Sequence, residues 1–226
     1  LIDTRISEIE KLAMQIALNS RVNIAVNVKE KFLPRDQMNL YRVAEDFKVY
    51  KASSNFIDDC FLYMHNTNTA VEPGSHMTEE LLYKFYFDRM MADFNQWREY
   101  VRQRHQRTVV PLVKKDASNN YYNVLAYMQS IPIESPSERL GTIIITINEK
   151  SLSQIMKNIN WIEQGSVLIL VQNDRVLMSA GSAKLNEEIT YNDLENGSML
   201  KQIYIDGEKM AVAWISSEIM PWKYVT

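Results

Sequence analysis

Cysteine occurs once in this chain of 226 residues, at Cys60. A single thiol excludes an internal disulfide framework, and the expected role of Cys60 is that of a small buried hydrophobe. It is also compatible with an oxidising exterior, because there is no second thiol to mispair with. Histidine is nearly as scarce: His65, His76 and His105 lack the H-x-x-x-H spacing of a zinc helix. The six glycines include no G-x-G, which excludes a dinucleotide or P-loop cradle. No apolar run reaches the roughly 18 residues that would mark a membrane-spanning helix, and no signal-peptide pattern is visible. Positive charge is not in excess. Lys and Arg number 25 against 28 Asp and Glu, and the net charge of −3 argues against nucleic acid as a partner.

Catalytic patterns are missing too. Gly181-Ser182 is not part of a G-x-S-x-G elbow. Asp58-Asp59 and Glu79-Glu80 are adjacent pairs, whose side chains are expected to diverge on a strand or helix. Asp193 and Glu195 fall in an expected loop. No enzyme activity, cofactor or metal is therefore expected of this chain.

What is present is a patterned order of elements. Ile2, Ile6, Ile9, Ala13 and Ile16 form a heptad-like stripe on an amphipathic helix. A break near Asn19-Ser20 starts a second helix, with Ser20 as its cap, running to about Phe32 and ended by Pro34. Asp36 opens a third through Leu40, Val43, Phe47 and Tyr50. Ile57 to His65 alternates as a strand, and Thr69 to Glu72 is a short return strand before the turn at Pro73-Gly74. Gly74-Ser75-His76-Met77 matches a common cleavage scar, but it is internal and is read as a natural loop. Thr78 starts a helix through Leu82, Phe85 and Met90, and a second runs from Asp93 to Arg104. Val109 to Val113 contains Pro111 and is expected at a sheet edge. Lys115 to Asn120 is a polar turn. Tyr121 to Ile133 and Leu140 to Ile147 are strands, and Glu149 to Ile159 is a helix. Further on, Asn173-Asp174 and Asp206-Gly207 mark two hairpins, and Trp222 begins a last strand. The chain begins within an expected helix and ends within an expected strand, as an excised piece of a longer protein would.

This order resembles the double Cache domain, an extracellular sensor module of bacterial receptors. The resemblance is carried by the opening Asp3-Thr4-Arg5-Ile6-Ser7-Glu8, by Asp59-Cys60-Phe61-Leu62-Tyr63-Met64, by Gly141 to Leu152, by Val167 to Ser179, and by Pro221-Trp222-Lys223-Tyr224-Val225. It covers nearly the whole chain. The nearest style is that of Gram-positive sensor histidine kinases and membrane-bound AraC-type regulators. The resemblance implies an α+β fold in which a long N-terminal helix carries two PAS-like antiparallel-sheet lobes. Residues 1–33 would be stalk helices, 34–150 a membrane-distal lobe and 151–226 a membrane-proximal lobe. It also implies two flanking transmembrane helices outside this chain, a homodimer in the full receptor, and a kinase or DNA-binding output serving two-component signalling or transcription regulation.

Strand alternation then suggests a pocket in the larger lobe. Cys60, Leu62, Met64, Val124, Ala126, Met128, Ile143, Ile145 and Ile147 are assigned to an apolar back. Phe61, Tyr63, His65, Asn123, Tyr127, Gln129, Thr142 and Thr146 are assigned to a front that forms a cavity floor. The helices between Thr78 and Arg107 would roof it with Tyr83, Phe87, Trp97, Arg98 and Tyr100. The residues expected to touch ligand are Tyr63, His65, Trp97, Arg98, Tyr127 and Gln129. An aromatic wall beside an arginine suits a sugar, an organic acid or a peptide end. Arg98, Arg102, Arg104, Arg107, Lys114 and Lys115 read as a solvated basic face. Amino-acid-sensing relatives of this type resemble each other in an Arg-x-Trp-Tyr run and an Asp on the last strand of the lobe. Here Asn95 precedes, Arg98 follows Trp97, and Thr146 stands at the Asp position. A neutral hydroxyl lacks the charge a buried ammonium needs, so simple α-amino acids are expected to be poor ligands. The rival reading is a module that recognises a loaded solute-binding protein and has no pocket of its own.

Overall fold

A computed structural model describes residues 2–29, 32–116, 118–135, 137–148, 151–152, 154–155, 168–172, 175–180, 198–205 and 208–225. The fold is α+β, in two compact units: Ile6–Glu149, and Leu1–Arg5 together with Lys150–Thr226.

The chain opens with helix α1 (Ile2–Leu18), which belongs to the larger unit from Ile6 onward, and α2 (Ser20–Val26) and α3 (Pro34–Ala52) follow in that unit. The whole heptad-like stripe of α1 is buried, from Ile2 to Ile16, as its spacing requires. The cap of α2 is Asn19 rather than Ser20: its side chain accepts from Arg21 N at 2.8 Å. α2 stops at Val26, short of Phe32, and Pro34 opens α3 instead of ending the helix before it. Proline is tolerated in a first turn, where its missing N–H would lack a helical partner anyway. Asp36 accepts from Leu33 N at 2.9 Å and secures the same end.

A six-stranded antiparallel sheet follows, built from β1 (Ile57–Met64), β2 (Thr69–Glu72), β3 (Ser75–Thr78), β4 (Thr108–Lys115), β5 (Tyr121–Ile131) and β6 (Gly141–Ile147) in the spatial order β3-β2-β1-β6-β5-β4. Ser75 to Met77, which the sequence suggests is loop, and Thr78, which it suggests opens a helix, form strand β3. The turn before it needs Gly74, whose φ is +85°. β4 lies at the sheet edge, where Pro111 removes no needed donor. Between β3 and β4 run α4 (Glu79–Leu82), a π-helical turn (Tyr83–Phe87) and α5 (Phe94–Val101), capped by Asp93 through Gln96 N at 3.0 Å. The helical path from Thr78 is thus broken by a π-turn, a feature frequent at functional sites.

The smaller unit holds a five-stranded antiparallel sheet of β7 (Leu168–Gln172), β8 (Arg175–Ala180), β9 (Ser198–Ile205), β10 (Glu208–Ser216) and β11 (Lys223–Val225), ordered β8-β7-β11-β10-β9. Gln172 pairs with Arg175 and Ile205 with Glu208, so two residues link each hairpin. The linking residues 173–174 and 206–207 lie outside the described residues, as does most of the helix expected from Glu149 to Ile159. Within this unit the Asp3 carboxylate accepts from Ser217 Oγ at 2.6 Å, from Glu218 N at 3.2 Å and from the Tyr224 hydroxyl. Partial burial pulls the Asp3 pKa up, but these hydrogen bonds together hold it below the usual carboxylate value.

Candidate ligand-binding site

Register decides which side chains share a face. Cys60 pairs with Ile145 and Ile145 with Tyr127; Phe61 pairs with Ile144 and Ile144 with Met128. The front of the larger sheet is therefore Phe61 and Tyr63 from β1, Thr142, Ile144 and Thr146 from β6, Val124, Ala126 and Met128 from β5, and Val110, Leu112 and Lys114 from β4. The alternation within β5 is as expected, but its two faces are exchanged. Tyr127 and Gln129 lie on the back with Cys60 and Ile143, and Val124, Ala126 and Met128 lie on the front. Each strand was read correctly by itself, and only the pairing with β6 sets which face joins which.

The back packs on the helices. Cys60 Sγ lies 3.7 Å from Phe47 O of α3, and burial, helped by the Asp59 charge, pushes the thiol up to about 12. Gln129 is buried there, accepting from Arg107 N at 3.3 Å and donating to Ser130 O at 3.2 Å.

The front is covered by α4, the π-turn and α5. Its rings interlock rather than leave the expected open floor. Phe61 contacts Phe87 at a centroid distance of 5.6 Å, Tyr63 contacts Trp97 at 5.9 Å, and Trp97 contacts Tyr83 at 5.5 Å. Phe61, Tyr63, Phe87 and Trp97 are all buried.

Two charged clusters are set into this apolar layer. In the first, the Glu79 carboxylate of α4 is 2% exposed and accepts from the Tyr63 hydroxyl. Arg102 Nη2 lies 3.3 Å from Glu79 Oε2, and Arg98 Nε lies 3.2 Å from Oε1, an ion-pair contact without hydrogen-bond geometry. Arg102 also donates from Nε to Tyr63 OH at 2.8 Å and from Nη2 to Asn68 Oδ1 at 2.6 Å. Arg98 and Arg102 stand four residues apart, hence on one helix face. Burial raises the Tyr63 phenol pKa, with Glu79 adding and Arg102 opposing. Next to Tyr63, His65 Nδ1 lies 2.8 Å from Arg139 O and Nε2 lies 3.0 Å from Thr142 Oγ1. Burial, reinforced by the positive charge of Arg102 and Arg139, lowers the His65 pKa to about 4. At Trp97 the indole Nε1 is buried with no acceptor among the described residues.

In the second cluster, Lys114 Nζ donates to Asp58 Oδ2 at 2.6 Å and to Asp59. Tyr122 OH and Thr146 Oγ1 donate to the same Asp58 oxygen at 3.1 and 3.2 Å. The expected divergence of Asp58 and Asp59 fails because the β1–β6 register shifts between Ile57 and Asp59. A bulge there lets two consecutive side chains serve one cation. A flat sheet would hold β4 about 14 Å from β1, three strand spacings away, so closing this pair requires the sheet to curl toward its roof.

Of the six expected contact residues, Tyr63, His65, Trp97 and Arg98 come together at the first cluster, while Tyr127 and Gln129 do not join them. The basic face is also corrected. Arg104 donates to Ser135 O and Arg107 pairs with Glu10, while Lys115 Nζ is 3.8 Å from Asp88 Oδ2. Lys114 is buried and Arg98 and Arg102 hold Glu79, so these cations are distributed over separate partners. The roles of Glu79 and Arg102 were missed. The four-residue spacing of Arg98 and Arg102 was the available signal for one; nothing local marked Glu79. Among the described residues no group of three His, Cys, Asp or Glu side chains is placed to hold a metal ion.

No protein-family model matches the sequence, and no curated protein matches it. Solved structures do match in fold. The extracellular domain of vpHK1S-Z8, described as a histidine kinase, superposes with a TM-score of 0.58 at 10% identity, covering 98% of this chain and 84% of that one. The ligand-binding domain of Mlp24 with asparagine gives 0.54 at 14%, covering 99% and 84%. The sensory domain of the Campylobacter jejuni chemoreceptor Tlp3 with isoleucine bound gives 0.51 at 13%, covering 99% and 86%. The chain therefore has the fold of extracellular sensor domains. None of its described helices is long and apolar enough to cross a membrane.

Proposed function

We propose that this chain is the ligand-sensing module of a transmembrane receptor, held on the outer face of the cell membrane and carrying out no reaction itself. Residues 34–150 form its membrane-distal lobe, 151–226 its membrane-proximal lobe, and 1–33 the stalk. A small molecule enters beneath the roof beside Tyr63, Trp97, Arg98 and Arg102, and the roof shifts to admit it. Signalling requires that the ligand prefer one of two arrangements, and a roof that must move supplies that difference. The full receptor works as a homodimer with a membrane helix on each side of this module. The observation that carries the reading is the Trp97 indole N–H. A buried donor without an acceptor costs about 1–3 kcal/mol, and a ligand oxygen would remove that penalty. Titration calorimetry with sugars, organic acids and short peptides tests it. A ligand whose heat is lost in both Trp97→Phe and Arg98→Ala, with each variant still unfolding in one cooperative transition, is the expected result.

One observation favours a second reading. The rings of the front occupy their own floor, which suits a module that docks a loaded solute-binding protein and needs no cavity. If no small molecule binds but a purified solute-binding protein does, that reading replaces the first.

A further inference from the structure

Lysine on an edge strand is ordinarily a solvated charge that discourages pairing with another chain. Lys114 departs from this, being 1% exposed on the front face of the sheet. Its ammonium lies against two carboxylates, those of Asp58 and Asp59. The Phe61 ring, from the sheet, lies 5.6 Å away, and the Tyr86 ring, from the roof, 5.3 Å. Those distances fall within the range over which a ring face attracts a cation. Tyr122 and Thr146 fix Asp58 from behind, and Tyr86 is itself held by Glu72 at 2.6 Å. Lys51 Nζ takes the other Asp59 oxygen from the partly exposed side. Carboxylates below, aromatic rings at the flank and polar groups fixing both are the parts of a receptor for an alkylammonium ion.

We propose that these groups form an ammonium cage with a built-in occupant, Lys114, and that the lobe consequently selects ligands carrying no ammonium group. The cage stands on its own geometry; the selectivity rests on ligand entry beneath the roof, as proposed above. Thr146 alone pointed away from ammonium ligands for want of charge. The structure supplies the charge on Asp58 and Asp59, and has already matched it with a cation of the same chain. A free amine must displace a tethered group, whose effective concentration is about millimolar or more.

Lys114→Ala removes three methylenes and the ammonium, which is the shape of n-propylammonium. The variant is expected to melt below the native domain, and millimolar n-propylammonium is expected to restore its melting temperature saturably. n-Propanol and propionate should not, and the native domain should not respond to the amine. A folded variant that gains nothing from the amine, or a native domain that gains equally, overturns the cage. Should the variant not fold, reductive methylation of the native domain with mass spectrometry decides. Lys114 is expected to stay unmodified while exposed Lys11 is dimethylated, and equal rates overturn the proposal. For selectivity, tight calorimetric binding to the native domain of any α-amino acid, or of a short peptide with a free N-terminal ammonium, is the overturning result, whereas N-acetylated peptides remain permitted ligands. If the amine rescue succeeds and no small molecule binds the native domain, the small-molecule reading fails and the cage survives.

Discussion

The two charged clusters on the front of the larger sheet use the same chemistry and reach opposite ends. Around Lys114, two cations with Lys51 face two carboxylates, and the ammonium is sealed. Around Glu79, two arginines face one carboxylate, so one positive charge is left over, and the side chains of Arg98 and Arg102 remain 37% and 29% exposed. The first cluster is complete without a ligand. The second keeps partly exposed arginines, and Trp97, whose ring packs on Tyr63 of that cluster, has an indole donor without an acceptor among the described residues. Buried charge that is fully matched holds a fold in one arrangement, whereas charge left over at an accessible edge can recognise an anion.

Four changes test that contrast. Lys114→Ala leaves two carboxylates without their buried cation and is expected to cost about 3–5 kcal/mol in urea unfolding, as breaking one side of a buried pair does. Acidification should act on the other cluster. His65 has its folded pKa lowered from 6.5 to about 4, so the unfolded chain binds its proton first as pH falls. Its contribution is intact above about pH 6.5 and is lost down to about pH 4, amounting to about 3 kcal/mol over the window. A His65→Phe variant should flatten that part of the stability–pH curve. Glu79→Gln keeps the shape but removes the charge facing both arginines. A loss of about 1–3 kcal/mol is expected by the same unfolding measurement, smaller than for Lys114 because the arginines can turn to water. Arg21→Ala removes an exposed pair with Asp46 at 2.9 Å, away from either cluster. It should change stability by less than about 1 kcal/mol, and a larger loss would show that charge position matters less than the contrast requires.

The elements themselves were readable. The stripe on α1, the edge position of β4 and the antiparallel strands all follow from spacing and from Pro111. Helix ends were less so, since Asn19 and Ser20 compete for one cap and Pro34 suits either the end of one helix or the start of the next. Part of the candidate site was legible: two-residue alternation places Tyr63 of β1 and His65, just past its end, on one side, and Trp97 and Arg98 belong to one short helix. Tyr127 and Gln129 were misplaced because nothing local says which face of β5 meets the Tyr63 face of its neighbours. Lys114 was misread because edge lysines are usually solvated, and its partners lie 55 and 56 residues away in the chain.

The amino-acid sequence by itself determined the repeat of each element, hence which residues within one helix or strand stand together, because backbone geometry sets a period of 3.6 or 2 without reference to neighbours. Strand register, the bulge at Asp58 and the curl that carries Lys114 across the sheet were decided only in the tertiary structure. Each depends on hydrogen bonds and charge pairs between segments far apart in the chain, whose free energy exists only once those segments have met.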